Sequence, residues 1–311
     1  MKAIYIANYG ALDEVVQMGD LPNPAVGPQD VLIQVRAAGV NPIDWKIAEG
    51  YMKDRIPLVL PAILGNEVAG VIIEAGSATS RFKKGGEVYA RLDPLRGGGY
   101  AEYVAVDAKL VAPKPEVVDF VAAAAIPLAG LTAWQVLFEH LKLKKGQKVL
   151  IHAGSGGVGS FAIQFAKHIG AEVATTVGPD GVKLAKTLGA DHVIDYKSRR
   201  FEDVVKDFDA VFDTVGGETQ ARSIPVLKRG GVLVSIVGVT ADQTAAEKAG
   251  VRLQGVFMHP DGEQLAEIAR LVDAGTVKPI IDRTFVFGQA KDALHYSKAG
   301  RAKGKIVIKV S

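Results

Sequence analysis

The residues with the most specific chemical pattern form the segment Ala153-Gly154-Ser155-Gly156-Gly157-Val158-Gly159, in which four of the last six residues are glycine. An apolar run over 148–152 precedes this segment directly, and a helical pattern over 158–168 follows it. Glycine allows a tight turn, a close approach of the backbone to a phosphate, and close packing of helix on strand. The first N–H groups of the helix and its dipole then favour the phosphate charge. We therefore favour a dinucleotide-binding turn over a turn that merely needs small residues.

The tip of the following strand, 174–178, bears on which dinucleotide is bound. Proteins that bind NAD carry an Asp or Glu about 20 residues beyond the glycines, where it holds the ribose 2′-hydroxyl. This tip has no acid, and the Thr176 hydroxyl and the later Lys183 suit a 2′-phosphate better. Asp180 keeps NAD open as an alternative. We expect NADPH, with NADH as the second choice, and we expect Thr176, Gly178 and Lys183 to contact it.

Later strands of such a sheet should end at the same crevice, because the carboxyl ends of parallel strands share one edge. This adds three expected cofactor contacts, which are Val215, Gly238 and Phe257.

Composition narrows the class of protein. The chain has 311 residues, of which 48% are hydrophobic and 23% charged, a balance typical of a globular protein with two domains. The formal net charge is only +3 and the basic residues are dispersed, so no nucleic-acid surface is predicted. The absence of cysteine excludes disulfides, thiolate nucleophiles and cysteine-ligated zinc. We expect a cytoplasmic protein with no membrane partner, since no leader-like segment is visible and no apolar run approaches the ~20 residues that span a bilayer.

The chain has two parts that differ in their sequence pattern. Residues 1 to about 120 are β-rich, with β-branched runs at 31–37, 69–75, 85–90 and 99–104. From residue 122 onward, short apolar runs alternate with helical stretches, a pattern typical of βαβ units around a parallel sheet. The sequence thus predicts an α/β fold with a doubly wound Rossmann domain over 122–258. Residues 1–121 and 259–311 are predicted to form a second, catalytic domain.

Two further patterns concern the edges of these domains. The tail 305–310 is strand-like, and we expect it to rejoin the sheet of the first domain. The apolar run 231–237 lies near the end of the predicted parallel sheet. Because an exposed sheet edge invites pairing with a second copy, we expect a homodimer.

Several segments together resemble the medium-chain dehydrogenase/reductases, specifically their zinc-free quinone oxidoreductase branch. The resemblance covers essentially the whole chain, and the glycine turn is similar to the A-x-x-G-x-V-G turn of that family. It implies a β-rich, GroES-like catalytic domain together with the Rossmann domain. The other matching segments are Gly39-Val40-Asn41-Pro42-Ile43-Asp44, Gly65-Asn66-Glu67-Val68-Ala69-Gly70, Gly99-Tyr100-Ala101-Glu102-Tyr103, Pro127-Leu128-Ala129-Gly130-Leu131-Thr132-Ala133 and Gly304-Lys305-Ile306-Val307.

Departures from the zinc-dependent relatives imply that there is no metal site. Asn41 stands where those enzymes place a zinc-ligating Cys, and Asn66 stands where they place a His. The four-cysteine structural zinc lobe has no counterpart here, and the six histidines are scattered without ligand spacing. Without a metal to lower the pKa of an alcohol, reduction of a conjugated acceptor is the easier chemistry.

The resemblance implies roles for individual residues. Lys46 is the first candidate donor to the acceptor oxygen and also meets the cofactor, and Asn41 is the second candidate donor. Thr132 resembles a threonine beside the nicotinamide, Tyr196 a tyrosine beside the adenosine phosphate, and Lys305 a further cofactor contact. NADPH-specific relatives carry Ser and Lys directly after the second strand, where this chain reads Gly178-Pro179-Asp180-Gly181, so Lys183 is displaced.

The expected function is zinc-independent, NADPH-dependent reduction of small-molecule quinones or α,β-unsaturated carbonyls by hydride transfer. Two alternatives stay open at this point. One is reduction of an enoyl thioester, which would need a longer groove and a cationic anchor. The other is a non-catalytic, crystallin-like dinucleotide-binding protein, because the glycine turn alone does not separate binding from turnover.

Overall fold

The structure is a computed structural model that describes residues 1–311. The chain divides into two compact units, of which the first is Met1–Leu131 with Pro260–Ser311 and the second is Thr132–His259. None of the helices combines the length and the apolar character needed to cross a membrane.

Sixteen strands and ten α-helices form the two units. The strands are β1 (Lys2–Ile6), β2 (Val16–Asp20), β3 (Asp30–Val40), β4 (Ala62–Ile63), β5 (Glu67–Ala75), β6 (Glu87–Arg91), β7 (Tyr103–Asp107), β8 (Val111–Pro113), β9 (Lys148–His152), β10 (Glu172–Val177), β11 (His192–Asp195), β12 (Phe208–Asp213), β13 (Leu227–Ser235), β14 (Arg252–Gly255), β15 (Ile281–Val286) and β16 (Lys305–Lys309). The α-helices are α1 (Leu12–Val15), α2 (Pro42–Ala48), α3 (Phe120–Ala124), α4 (Pro127–Trp134), α5 (Gly157–Ile169), α6 (Val182–Thr187), α7 (Glu218–Ser223), α8 (Gln243–Ala249), α9 (Gly262–Asp273) and α10 (Ala290–Lys298). A π-helical segment, Gln135–His140, follows α4, and short 3₁₀ helices lie at Ala108–Leu110, Pro179–Gly181, Phe201–Asp203, Ile224–Val226 and Phe287–Gln289.

The first unit contains a seven-stranded sheet, in the order β15-β16-β3-β5-β6-β8 with β7 also paired to β3, and a three-stranded sheet in the order β2-β1-β4. β3 is the central strand, and most of its eleven residues are buried, as expected for a β-branched run covered on both faces. β16 pairs with β3 in antiparallel register, Val307 opposite Gly39. This confirms that the tail rejoins the sheet of the β-rich unit.

The second unit is built on one six-stranded sheet whose strands are all parallel, in the order β11-β10-β9-β12-β13-β14. Counted from β9, this order is 3-2-1-4-5-6, the doubly wound arrangement of dinucleotide-binding folds. The order reverses at β9, which α5 follows directly. α5 packs into the unit through a fully buried face that includes Phe161 and Phe165. Gly170 ends this helix with φ +86°.

The run 231–237 lies near the end of this sheet, as predicted, but it is not the edge strand. The run 231–237 lies mostly in β13, which is paired with β12 on one side and β14 on the other. The outer strand is therefore β14, because the chain returns once more through α8 before the sheet ends. The short, mostly exposed β14 is therefore the strand at which two copies would pair.

The first unit continues to Leu131, beyond the predicted boundary at 121. The physical reason is that α3 and the first part of α4 are held by the β-rich unit. The backbone N–H of Leu128 donates to Glu67 Oε2 at 2.6 Å, and the Ala124 carbonyl lies 2.6 Å from where a Cβ on Gly39 would stand. Helical texture alone does not indicate which unit a helix packs on.

Candidate functional site

The glycine turn between β9 and α5 is shaped by two close approaches. A Cβ on Gly154 would lie 2.0 Å from Thr175 Oγ1, and one on Gly159 would lie 2.3 Å from the Ala153 carbonyl oxygen. These two glycines therefore allow the turn to pack on β10 and the helix to pack on the turn. At Gly156 a Cβ would meet only the Ala153 carbonyl, at 3.3 Å, so the space in front of Gly156 is open. Gly156 thus provides the cradle that a pyrophosphate would fill.

The helix that follows offers donors to such a ligand. Gly156 caps α5, and no side chain accepts a hydrogen bond from the first turn of this thirteen-residue helix. Its early N–H groups have no partner within the helix, and the helix dipole adds partial positive charge there. Ser155 lies in the turn with its side chain against Gly181, where a Cβ would lie 2.5 Å from Ser155 Oγ. The geometry fits a dinucleotide phosphate.

Thr176 accepts hydrogen bonds from the backbone of this turn. Its hydroxyl lies 3.0 Å from His152 Nδ1 and accepts from the Ala153 N–H at 3.3 Å, and its carbonyl accepts from the Gly154 N–H at 3.1 Å. The residue is buried. The structure thus engages the Thr176 hydroxyl within the protein, where sequence analysis expected a cofactor contact.

His152 links three elements beneath the turn. Its Nε2 lies 2.9 Å from Ser223 Oγ on α7, while its Nδ1 faces β10 through Thr176. Burial, together with the charge of Arg222, lowers the pKa of His152 to about 4, although Asp213 and Glu202 act in the opposite direction. The imidazole is therefore neutral at physiological pH and serves as a structural hydrogen-bonding group.

The tips of β10 and β11 lie next to each other. The Tyr196 hydroxyl is 3.7 Å from where a Cβ on Gly178 would stand, and the Tyr196 side chain is 59% exposed. Lys183 is exposed at the start of α6, and Asp180 is exposed in the 3₁₀ turn before it. Lys183 and Asp180, the two charged residues considered for the adenosine ribose, thus both lie at this end of the sheet.

The tips of β12, β13 and β14 form the rest of the same edge. Val215 follows β12, Gly238 follows β13 with φ +89°, and Phe257 follows β14. Val215 is 52% exposed and Phe257 37% exposed, so both offer apolar surface at the carboxyl edge of the sheet. Thr132 is buried in α4, where the second unit begins.

A second group of predicted residues surrounds Glu67, which is fully buried in the first unit. Glu67 Oε1 accepts from Asn41 Nδ2 at 2.6 Å and from Lys305 Nζ at 2.8 Å. Lys305 Nζ also donates to Asn41 Oδ1 and to the Val40 carbonyl, the latter at 3.3 Å. Gly39 leaves room for this carboxylate, because a Cβ there would lie 2.2 Å from Glu67 Oε1. Lys305, expected to meet the cofactor, is thus placed as the ion-pair partner of Glu67.

Asp44 is the second buried carboxylate of this group. It accepts from the Asn41 N–H at 2.7 Å, from Asn66 Nδ2 at 2.6 Å and from the Tyr100 hydroxyl at 2.8 Å. Burial raises the pKa of Asp44, and these three hydrogen bonds act against that rise. Burial also raises the pKa of Tyr100 well above its ordinary value.

Arg91 supplies the second buried cation. Its Nη1 donates to the Asn66 carbonyl at 3.0 Å, to Asn66 Oδ1 at 3.2 Å and to the Leu92 carbonyl. Burial lowers the pKa of Arg91 to about 10, while Glu67 and Asp44 favour its charged form, so it stays cationic at neutral pH. Two carboxylates and two cations thus balance within one buried cluster.

Lys46 lies outside this cluster. It is half-buried in the last turn of α2, with Nζ 5.6 Å from the centre of the Trp45 ring. Lys298 Nζ approaches the same ring, also at 5.6 Å, and donates to Glu49 Oε1 at 2.5 Å. No group of three or more His, Cys, Asp or Glu side chains could hold a metal ion.

Most of the buried cluster around Glu67 was not predicted. Asn41 and Lys305 were candidates from the sequence, whereas no role was predicted for Asp44, Glu67, Arg91 and Tyr100. The sequence offered one signal for this cluster. The segments Gly39–Asp44 and Gly65–Glu67 each combine a glycine with an acidic residue.

Two protein-family models match parts of this chain. Residues 27–116 match the alcohol dehydrogenase GroES-like domain, and residues 188–308 match the zinc-binding dehydrogenase family. The chain is 38% identical to the 2-methylene-furan-3-one reductase of Solanum lycopersicum, over 99% of this chain and 79% of that protein. It is 36% identical to the chloroplastic NADPH-dependent alkenal/one oxidoreductase of Arabidopsis thaliana, with the same coverage of both chains.

Among solved structures, the quinone oxidoreductase of Coxiella burnetii matches with a TM-score of 0.92 and 35% identity. That match covers 100% of this chain and 99% of the other. Full-length similarity at this level shows the family as well as the fold. The chain belongs to the medium-chain dehydrogenase/reductase family, among relatives named as quinone oxidoreductases and alkenal or enone reductases.

Proposed function

We propose that this chain is an NADPH-dependent oxidoreductase that reduces quinones or α,β-unsaturated carbonyls without a metal ion. The observation that carries the proposal is the open cradle at Gly156 before an uncapped α5, at the point where the strand order of the sheet reverses. The names of the similar proteins support the acceptor class, since they include an alkenal/one oxidoreductase and a quinone oxidoreductase.

NADPH, when bound, supplies the hydride. The chain's own residues then bind, orient and stabilise charge. The glycine turn holds the pyrophosphate through backbone N–H groups, and the exposed apolar side chains at the tips of β12 and β14 cover an apolar part of the ligand. Lys46 is the first candidate donor to the acceptor oxygen, on which negative charge develops, and Asn41 is the second.

The preference for NADPH rests on the tip of β10. The last four residues of that strand are Ala174-Thr175-Thr176-Val177, with Gly178 next, and they include no acid that could hold a ribose 2′-hydroxyl. Lys183 is the cation that would favour the 2′-phosphate. Titration of both coenzymes tests this preference, and tighter binding of NADH would point to Asp180 as a ribose ligand.

Assembly and location belong to the same proposal. The chain forms a homodimer, for which the outer strand β14 offers unpaired backbone groups. Sedimentation at micromolar concentration would show a monomer if this is wrong. A cytoplasmic location remains a prediction from the sequence, and fractionation of the source cells tests it.

The decisive experiment is a panel of acceptors with purified protein and NADPH or NADH, followed at the nicotinamide absorbance band. Enones and simple quinones should be reduced, and enoyl thioesters should be poor substrates. Elemental analysis of the active protein should find no stoichiometric zinc, and a chelator should leave the rate unchanged. Binding of NADPH without turnover of any acceptor would favour a non-catalytic role instead.

A further inference from the structure

Three buried side chains join the two loops that follow β12 and β13. They are Asp213 at the end of β12, Gln220 on α7 and Ser235 at the end of β13, and all three are fully buried. We refer to these three residues as the Gln220 clamp. None of them belongs to the glycine turn or to the buried cluster around Glu67.

Asp213 holds the first loop. Its Oδ1 accepts from the N–H groups of Val215 and Gly216, each at 2.9 Å. Its Oδ2 accepts from Gln220 Nε2 and from Ser235 Oγ, each at 2.8 Å. The carboxylate thus fixes the backbone of residues 214–217 and ties it to the other two members of the clamp.

Gln220 holds the second loop with both ends of its amide. Its Nε2 donates to the Gly238 carbonyl at 2.7 Å and lies 3.0 Å from Ser235 Oγ. Its Oε1 accepts from the N–H groups of Thr240 and Ala241, at 2.7 and 3.1 Å. One side chain therefore fixes residues 238–241 from two directions. Only a group with a donor at one end and an acceptor at the other can do this.

The two loops present apolar surface to their surroundings. Val215 is 52% exposed, Val237 44% and Val239 38%. A Cβ on Gly216 would lie 3.0 Å from Val237 Cγ2, so the loops contact each other. Three exposed valines on loops that buried polar groups hold in place are typical of a surface that binds an apolar ligand.

The position of the loops indicates which part of a dinucleotide they would meet. In a doubly wound sheet the pyrophosphate lies at the turn after the first strand, and the adenosine ribose lies at the tip of the second. Those positions are β9 and β10 here. The other mononucleotide must then lie across β12 and β13, where the two loops are.

We propose that Gln220 is a positioning residue, which shapes the pocket for the nicotinamide half of the coenzyme by fixing both loops while touching neither coenzyme nor acceptor. This inference rests on the proposed function, because it takes a nicotinamide coenzyme as the ligand. The adenosine half of the coenzyme would then bind to residues that the Gln220 clamp does not contact.

The test compares two ligands on the full chain. One is NADPH, and the other is 2′-phospho-ADP-ribose, which keeps the adenosine half and the pyrophosphate but lacks the nicotinamide. In Gln220→Glu, an oxygen replaces Nε2 and faces Asp213 Oδ2 and the Gly238 carbonyl, which are both acceptors. We expect NADPH binding to weaken about tenfold or more and the turnover number to fall, while 2′-phospho-ADP-ribose binding stays within about twofold.

Two further variants sharpen the result. Asp213→Asn/Gln220→Glu exchanges the donor and the acceptor between these two side chains, while the Gly238 carbonyl still faces an oxygen, so it should recover only part of the lost NADPH affinity. Gln243→Glu adds the same charge on the exposed first turn of α8, outside the clamp, and should change neither affinity. If Gln220→Glu does not fold, Ser235→Ala removes only a hydroxyl and should change the ratio of the two affinities in the same direction.

Equal weakening of both ligands, or no change in either for a folded Gln220→Glu, would overturn the inference while leaving the proposed function intact. A wild-type chain that binds neither ligand would instead overturn the proposed function, and this inference with it. Wild-type binding and turnover are therefore measured first.

Discussion

Gly154 and Gly156 belong to one turn but meet different surroundings. A Cβ on Gly156 would meet only the Ala153 carbonyl oxygen, at 3.3 Å, whereas a Cβ on Gly154 would lie 2.0 Å from Thr175 Oγ1. We expect Gly156→Val to fold normally and to weaken NADPH binding at least about tenfold, because the side chain fills the pyrophosphate cradle. Gly154→Ala should instead lower the free energy of unfolding by about 1–3 kcal/mol through overpacking. Calorimetric titration and urea denaturation of both variants check this, and a destabilised Gly156→Val would contradict it.

Lys46 and Lys298 allow a matched test of the proposed donor. Each places its Nζ 5.6 Å from the centre of the Trp45 ring, so each substitution removes one ammonium from the same aromatic ring. Lys46→Met should lower the turnover of enones and quinones about a hundredfold, which corresponds to ~3 kcal/mol of barrier for one lost donor.

Lys298→Met should leave the turnover of the same acceptors near that of wild type, although it also removes the ion pair with Glu49. Initial rates at saturating NADPH distinguish the two. Equal losses in both variants would show that the cations beside the Trp45 ring matter and that Lys46 is not a donor. Full activity of Lys46→Met would leave Asn41 as the candidate to examine next.

At the scale of elements, His152 connects β9, β10 and α7 through hydrogen bonds to Thr176 and Ser223. Burial lowers its pKa from 6.5 to about 4, so the unfolded chain takes up this proton at a higher pH than the folded chain. The stability that His152 contributes is therefore complete above pH 6.5 and is lost progressively as the pH falls to about 4. The loss should total about 3 kcal/mol, or ~1.4 kcal/mol for each pH unit.

Urea denaturation between pH 7 and pH 4.5 measures this slope. His152→Gln lacks the titrating group and should show a flatter dependence of the unfolding free energy on pH, although it is less stable at pH 7. An unchanged slope in the variant would assign the acid sensitivity to the carboxylates instead.

Elements defined by strong local patterns were predictable. The run 148–152 coincides with β9, and the predicted strand tip at 174–178 falls at the end of β10, since both strands are short, apolar and bounded by turns. The run 99–104 is different, because the strand there begins only at Tyr103. Tyr100 turns inward and donates to Asp44, and Ala101 forms only an isolated bridge with Ala3. β15 was missed because its residues are only half-buried or exposed and carry little alternation.

At the scale of the whole chain, the buried cluster could not be predicted from local patterns. Lys305 and Glu67 are 238 positions apart, and Lys305 and Asn41 are 264 apart. Hydrophobic periodicity indicates only which residues share a face of one helix or strand. These contacts exist because β16 pairs with β3 next to the start of α2. The resemblance to a family singled out Asn41 and Lys305 one by one. Only the fold shows that they share one carboxylate.

This cluster should also tie the end of the chain to its beginning. Glu67→Gln leaves the Lys305 ammonium buried without its counter-charge, and Lys305→Met does the same to the carboxylate. Each single substitution should cost about 3–5 kcal/mol of unfolding free energy. Glu67→Gln/Lys305→Met removes both charges, so it should cost clearly less than the two single losses together.

Lys167 and Asp191 provide the control, since they form a partly exposed ion pair at 2.7 Å, for which the same cycle should give about 1 kcal/mol or less. Urea denaturation of the four chains in each cycle gives both coupling energies. Additive losses at Glu67 and Lys305 would mean that each residue acts separately. In that case Lys305 would be free to leave Glu67 for the coenzyme, as the family resemblance implies. A large coupling energy would instead make Lys305 part of the framework that holds Asn41.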